Sequence, residues 1–376
     1  MLKTIVLCRG RESPLFIVLK TVTLVIVCSL VLTACESIGY YSQAISGHWQ
    51  ILRQRQSIET LISDESVDGD LRKRLQYLQS VRKFATSELF LPDNNSYRYY
   101  SDIGREFVVW NVFAANEFSV TPKQWCFPFA GCVDYKGYFS RQDAVDYATR
   151  LNSEGYDTHV GGVVAYSTLG WFDDPVLNTF ISQDDMRLAG LVFHELAHQK
   201  LYLPGETGFN ESFAMAVEIA GIERWFGQSS RTTSDYMKSQ RVRADFVATM
   251  LGGRQQLALL YQTEIPVTAM KRGKQDVIDQ MIDDAYMSFK RRWDGIDTYD
   301  RWLGLPDRPH LNNAKLSTVS SYYQMLPIFE KILSEEGGDL AAFYRRVEKL
   351  AALSKGQRQQ FFTDTFASEI KLIQRN

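Results

Sequence analysis

Neither sign of charge is in excess: 42 Lys and Arg stand against 44 Asp and Glu, a formal net charge of −2. No basic stripe interleaves with the aromatic residues, so nucleic acid is excluded as a partner. Internal repeats and low-complexity runs are absent, which removes solenoids and long flexible linkers. Long apolar runs are scarce too. The most extended, Thr21 to Ala34, falls short of the about 20 apolar residues that a membrane span needs. Histidine is rare, with five in the chain. What is present, 45% apolar residues over 376 positions, suffices for one large domain or two smaller ones.

The short apolar run suits the core of a signal peptide, with Lys3, Arg9, Arg11 and Lys20 around it. Its end, Leu32-Thr33-Ala34-Cys35, resembles the lipobox of bacterial lipoproteins. That resemblance implies a signal peptide over 1–34, cleavage before Cys35, and a lipid anchor on that cysteine. An ordinary secretory signal, or an uncleaved anchor running from Leu15, is the alternative. Glu36 follows Cys35, where enterobacterial lipoproteins kept in the inner membrane usually carry Asp. The expectation is therefore an envelope protein facing the periplasm from the outer membrane. Cys8 and Cys28 would leave with the signal. Cys126 and Cys132, in WCFPFAGC, remain as an even pair around a Pro-containing loop, as a disulfide in an oxidising compartment would be.

Along the mature chain the hydrophobic period changes four times. Ile51 to Leu89 reads as helical, with Leu71, Leu75 and Leu78 at 3–4 spacing, and residues 35–95 form an N-terminal helical segment. Short strands are expected between Glu106 and Tyr138, a helix over Arg141–Asn152, and a β-prone segment up to Pro175. Two helices follow, over Asp184–Lys200 and Asn210–Phe226, closing a region 96–228 that holds the chemistry. Residues 229–376 read as a helical C-terminal region. The fold class is α+β, rich in helix, with a small β-sheet.

The chemistry lies in FHELAHQKLYLPGETGFNESFAMAVE, from Phe193 to Glu218. On a helix, positions i and i+4 share a face, so His194 and His198 can aim two imidazoles at one centre. Zn²⁺ prefers such nitrogen ligands, and a catalytic site keeps one position open for water, whose pKa falls towards about 7. Glu195 is turned by about 100° from His194 and can reach that water as a general base. The bland alternative is a buried helix with an odd composition. It leaves Glu195 inside an apolar run without a cation to offset its burial.

No third histidine follows at the metzincin spacing. Asn210-Glu211-Ser212-Phe213-Ala214 does follow, with Glu218 seven residues past Glu211. This arrangement resembles the gluzincins, whose ligands are the two histidines of HExxH and a glutamate on a later helix. AYSTLGWFDDP before the motif and GFNESFA after it resemble the predicted-aminopeptidase lipoproteins of Gram-negative bacteria. The resemblance implies a zincin-like core, a peptide substrate, His194, His198 and Glu211 as zinc ligands and Glu195 as base. The gap from His198 to Glu211 is shorter than in the best-known gluzincins, and the GxMEN-type segment that binds a substrate amine is missing. A helical hairpin with Asn210 as the N-cap of its second helix would bring Glu211 beside His198. Glu206 in the loop and Glu218 are the competitors, and Glu218 suits a partner to a ligand histidine better.

Softer candidates surround this centre. Val163 to Thr168 can be an edge strand for an extended substrate. Asp173 or Asp174 can orient a ligand histidine, although an Asp-Asp-Pro turn needs no such role; Tyr322 or Tyr323 can donate to an oxyanion, although packing is the simpler role for either among 19 tyrosines. His159 and His310 receive no role. The rival for the whole reading is a non-catalytic envelope lipoprotein whose zinc is structural and serves binding or assembly.

Overall fold

The computed structural model describes residues 39–373, apart from 128–130, 166–167, 169–171, 228–229, 294–298, 306–310 and 320–324. The signal segment 1–34, Cys35, His310, Tyr322 and Tyr323 lie outside the described residues. The chain divides into two compact units, Met1–Gln50 and Ile51–Asn376. In the first, residues 39–50 are helical (α1).

In the second unit the elements run β1 (Gln56–Ser57), α2 (Ile58–Ser63), α3 (Gly69–Ser87), β2 (Tyr99–Ser101), β3 (Val109–Asn116), β4 (Trp125–Phe127), β5 (Gly131–Val133) and β6 (Lys136–Tyr138). Then come α4 (Arg141–Ser153), β7 (Tyr156–Val163), β8 (Val176–Leu177), α5 (Asn178–Ile181), α6 (Asp185–Lys200) and α7 (Thr207–Phe226). The remainder is helical: α8 (Arg231–Leu260), α9 (Val267–Arg292), α10 (Asp300–Leu303), α11 (Asn313–Ser317), α12 (Leu326–Glu335), α13 (Leu340–Ala351) and α14 (Lys355–Ile373). The architecture is α+β with helix in the majority.

The helix expected from Ile51 to Leu89 is in fact broken. Gln56 and Ser57 pair with Tyr99 and Tyr100 as a short antiparallel ladder, and a turn over 64–68 separates α2 from α3. Asp68 supplies the reason for the new start, because its carboxylate accepts from the backbone N–H groups of Asp70 and Leu71 as an N-cap. The buried face of α3 (Leu75, Leu78, Val81 and Ala85) packs on α6.

The principal sheet has the order β6-β3-β7. Its two long strands are antiparallel over the full register from Val109↔Val163 to Asn116↔Tyr156. Strand β7 ends at Val163, so of the edge strand expected over Val163–Thr168 only its first residue lies in β7, and residues 166–167 fall outside the described residues. Cys126 and Cys132 are disulfide-bonded across the β4–β5 hairpin. Helix α4 covers this sheet; Ser140 caps its start by accepting from the Asp143 N–H, and Gly155 at φ +89° turns the chain from α4 into β7.

Two apolar cores result. One gathers α3, α6, α7, α12 and α13 around Phe193, Phe213, Phe329 and Phe343, each fully buried. The other joins α8 and α9 through Phe246, Met250, Leu257, Ile282 and Phe289. Helices α6 and α7 approach closely because both carry glycine at the contact. A Cβ on Gly221 would stand 2.5 Å from the Phe193 ring, and one on Gly190 would stand 2.9 Å from a Glu218 oxygen.

Candidate metal centre

Helix α6 starts at an N-cap, Asp184, which accepts from the Arg187 N–H, and its last turns carry His194, Glu195 and His198. The helix stops at Lys200, and Gly205 at φ +77° completes the reversal into α7. Asn210 does not cap α7, as its residue type suggested. The helix begins three residues earlier, at Thr207, and the Asn210 amide works across the loop. Its Oδ1 accepts from the Leu203 N–H at 2.8 Å, and its Nδ2 donates to the Leu203 carbonyl at 2.8 Å. A buried amide that replaces a strand-like pair of backbone bonds fixes the reversal. Glu206 is not loose either. Arg358 of α14 forms a two-pronged ion pair with it, one arm at 3.1 Å, which pins the loop from outside and removes Glu206 from the centre.

Two carboxylates of α7 therefore face α6. Glu211 and Glu218 are seven residues apart, nearly two full turns, and so share a side. Glu211 Oε2 lies 3.2 Å from His194 Nε2, and Glu211 Oε1 lies 3.6 Å from His198 Nε2. The two Nε2 atoms are 3.2 Å apart. His194, His198 and Glu211 thus offer one ligand atom each, all within 4.8 Å of one another, and can hold a metal ion.

The donor chemistry fits a cation. Two imidazole nitrogens and a carboxylate oxygen converge at one point, a donor set that suits a metal cation. His194 shows it in its proton affinity. Burial works to lower its pKa, but hydrogen bonds to Glu211 and Glu218 and the charges of Glu218 and Glu195 outweigh this and raise it to about 10. Burial and the His194 charge push His198 down to about 4. For Glu211, burial raises the pKa, yet the His194 hydrogen bond and the charges of His198, His194 and Arg243 leave it below its usual value.

The other side of His194 is held as well. Its Nδ1 is 3.0 Å from Glu218 Oε2. An ionised carboxylate only accepts, so Nδ1 carries a hydrogen; a metal ion at the centre would displace the proton on Nε2 and take its lone pair. Tyr236 of α8 donates its hydroxyl to Glu218 Oε1 at 2.9 Å. His198 is treated differently: its buried Nδ1 has no hydrogen-bond partner among the described residues. A cleft of about 590 Å³ opens over the centre, lined by His194, Glu195, Glu211 and Glu218 from the hairpin, Tyr236 and Arg243 from α8, and Val164 beyond β7.

A family profile described as "Putative aminopeptidase" matches residues 39–362. The chain belongs to that family. No curated protein and no solved structure matches the chain.

Within this aminopeptidase-family chain, several neighbours of the centre have no sequence signature. Tyr236 lies on the next helix, and Gly190 matters only because Glu218 crosses it. Asp174 bonds Thr168. Its carboxylate accepts from the Thr168 N–H at 2.9 Å and hydroxyl at 2.8 Å, while Asn95 reaches Asp173 at 3.4 Å. Beside Asp174 sits Tyr97, whose φ of +64° is rare for a bulky residue. Its N–H donates to the Asp174 carbonyl at 2.7 Å. Burial, then the charges of Glu195 and Asp174, push the Tyr97 phenol well above its usual pKa. Gln199 fastens this corner to α6, donating to Ser96 Oγ at 3.2 Å and accepting from Asn94 at 2.7 Å. His159 stacks on Phe113 with centroids 6.2 Å apart, in keeping with packing.

Proposed function

We propose that this protein is a zinc-dependent peptidase with a zincin-like core, tethered to the bacterial envelope. The convergence of His194, His198 and Glu211 beneath an open cleft carries the reading. Two imidazoles and one carboxylate are the donor set that suits Zn²⁺ in sites keeping a position for substrate or water. When bound there, Zn²⁺ supplies polarisation of the scissile carbonyl and a lowered pKa for the attacking water. Glu195 takes the proton from that water at its carboxylate and delivers it to the departing amine. Glu218 holds the His194 ring in the tautomer that presents Nε2.

The strand next to the cleft suits an extended peptide. The Val163 carbonyl accepts from Val108 and so faces β3, whereas the Thr158 carbonyl faces outward, where Asn312 donates to it at 3.0 Å. By alternation, the backbone groups of Val160 and Gly162 lie on the outer edge of β7, which leads to Val164 at the cleft. A substrate strand adds to that edge and passes over Glu195. The tether rests on Cys35 and the apolar run before it. An outer-membrane location facing the periplasm rests on Glu36.

The rival, a structural zinc, calls for a centre closed by protein on all sides; the cleft supports the hydrolytic reading instead. Peptide-library cleavage by wild type beside Glu195→Gln tests it. Wild type is expected to cleave, and the variant to lose about 10²–10⁴-fold in turnover while keeping its metal. An undiminished variant, or a metal-loaded wild type that cleaves nothing, overturns it.

A further inference from the structure

Helix α1 carries an exposed apolar stripe along one face that ordinary solvation does not explain. Tyr41 is 41% exposed, Ile45 58% and Trp49 55%. Spaced at i, i+4 and i+8, they fall within an arc of about 80° on one face. Ser42 and Ser46 lie beside them and are exposed too. Between Glu36 and Arg53 the sequence has no Asp, Glu, Lys or Arg, although 23% of the chain is charged. A helix turned to water normally places charge on its outer face. This one places two amphipathic aromatics and an isoleucine there.

The position of the helix says what covers the stripe. The apolar run Thr21–Ala34 ends five positions before residue 39. Whether the chain is acylated at Cys35 or anchored by the run itself, α1 begins within a few residues of the bilayer surface. Tyr and Trp favour the membrane–water boundary, where an apolar ring body and a polar tip both find partners. A helix without charge on that face can lie in the boundary plane at no ionic desolvation cost. We infer that α1 lies in the headgroup region of the bilayer with Tyr41, Ile45 and Trp49 directed into the lipid, making the tether a two-part attachment. A single acyl attachment point leaves a protein free to swivel; a surface-lying helix adds a second contact along a line. The inference rests on the envelope reading of the N-terminal segment.

The test uses the full chain, reconstituted in vesicles of phosphatidylethanolamine and phosphatidylglycerol. An environment-sensitive fluorophore is placed at residue 45, and in a second preparation at Met287, which is 44% exposed on α9. The fluorophore at 45 is expected to shift to the blue and to be quenched by doxyl-labelled lipid, while that at 287 keeps its emission in water. Tyr41→Ser/Ile45→Ser/Trp49→Ser, with the fluorophore at residue 46, is expected to lose the quenching seen at 46 in the otherwise unsubstituted chain. Emission characteristic of water at residue 45 overturns the inference. So does a blue shift that doxyl lipid does not quench, since a second copy or another protein then covers the stripe. Mass spectrometry of Cys35 in the same preparations separates the two readings. Quenching at 45 without acylation refutes the lipid anchor and supports the surface helix; acylation with residue 45 in water does the reverse.

Discussion

The second unit holds two antiparallel helix pairs built on opposite plans. In α8–α9 the packing face is wholly apolar: Val242, Phe246, Met250 and Leu257 meet Ile278, Met281, Ile282 and Phe289. Its polar groups stay off that face: Gln275 reaches Asp279 and Gln280 reaches Asp284 at four-residue spacing, and Arg292 reaches Asp245 at the rim at 3.4 Å. In α6–α7 the packing face is apolar at one end and ionisable at the other. Helix α7 is buried almost all round, from Phe209 to Ile222, yet it turns Glu211 and Glu218 into the contact. The difference is one of cost. A carboxylate inside a helix pair is unfavourable unless each oxygen has a partner. In α6–α7 the partners are two histidines and a tyrosine, and the converging donor atoms can hold a cation. The first pair is a support; the second is a site whose stability and chemistry are the same interactions.

The sharpest contrast comes from Glu211→Gln. Losing even a partner outside the ligand set typically costs 10–100-fold in metal affinity, so removing a ligand charge is expected to cost more than about 100-fold. Elemental analysis after gel filtration should find little zinc in this variant. Full occupancy would remove Glu211 from the ligand set and take the proposed hairpin centre with it.

Phe246→Ala probes the supporting pair. Phe246 is 4% exposed and stacks on Tyr299 at a centroid distance of 4.0 Å, with Trp302 at 4.9 Å. Truncation leaves a cavity expected to cost about 3–5 kcal/mol in denaturant unfolding. Zinc bound per folded molecule should stay unchanged. If the metal is lost in proportion to stability, the two helix pairs are not separable in the way proposed.

The sequence was informative about these pairs to different depths, for physical reasons. The helical character of the C-terminal region was legible because residues such as Val242, Phe246 and Met250 recur at helical spacing. The pairing of His194 with His198 was legible because a helix makes i and i+4 neighbours. Asn210 misled, since an asparagine near a helix start reads as a cap, and nothing local shows that its amide bonds Leu203 instead. The partner of Glu206 was equally hidden, because Arg358 lies 152 residues away. The pairing of β1 with β2 and of β2 with β8 involves strands of two and three residues, too short for any period to register.

Glu218→Gln tests the contact behind the centre. The amide can still accept from Tyr236 or from His194 Nδ1, but it lacks the charge that stabilises a polarised imidazole. Metal affinity is expected to fall about 10–100-fold, less than for Glu211→Gln. A competition titration with a chromophoric chelator measures it. Equal losses in the two variants would mean that Glu218 itself joins the ligand set.

Tyr236→Phe gives the smallest effect and the finest test, because it moves nothing except one hydroxyl. Tyr236 is 4% exposed and comes from α8, so its bond to Glu218 Oε1 is one point where the supporting pair touches the site. A single hydrogen bond contributes about 0.5–1.5 kcal/mol net, which corresponds to roughly 2–12-fold in affinity. The phenyl ring keeps its packing, so unfolding of the metal-free protein should change by no more than that one bond. Zinc affinity should nevertheless fall by a few-fold, since Glu218 becomes freer to turn away from His194 Nδ1. Tyr236→Phe combined with Glu218→Gln should then be no weaker than Glu218→Gln alone, because the tyrosine acts through that carboxylate. Additive losses in the double variant would show that Tyr236 reaches the centre by another route, and the division between support and site would have to be redrawn through α8.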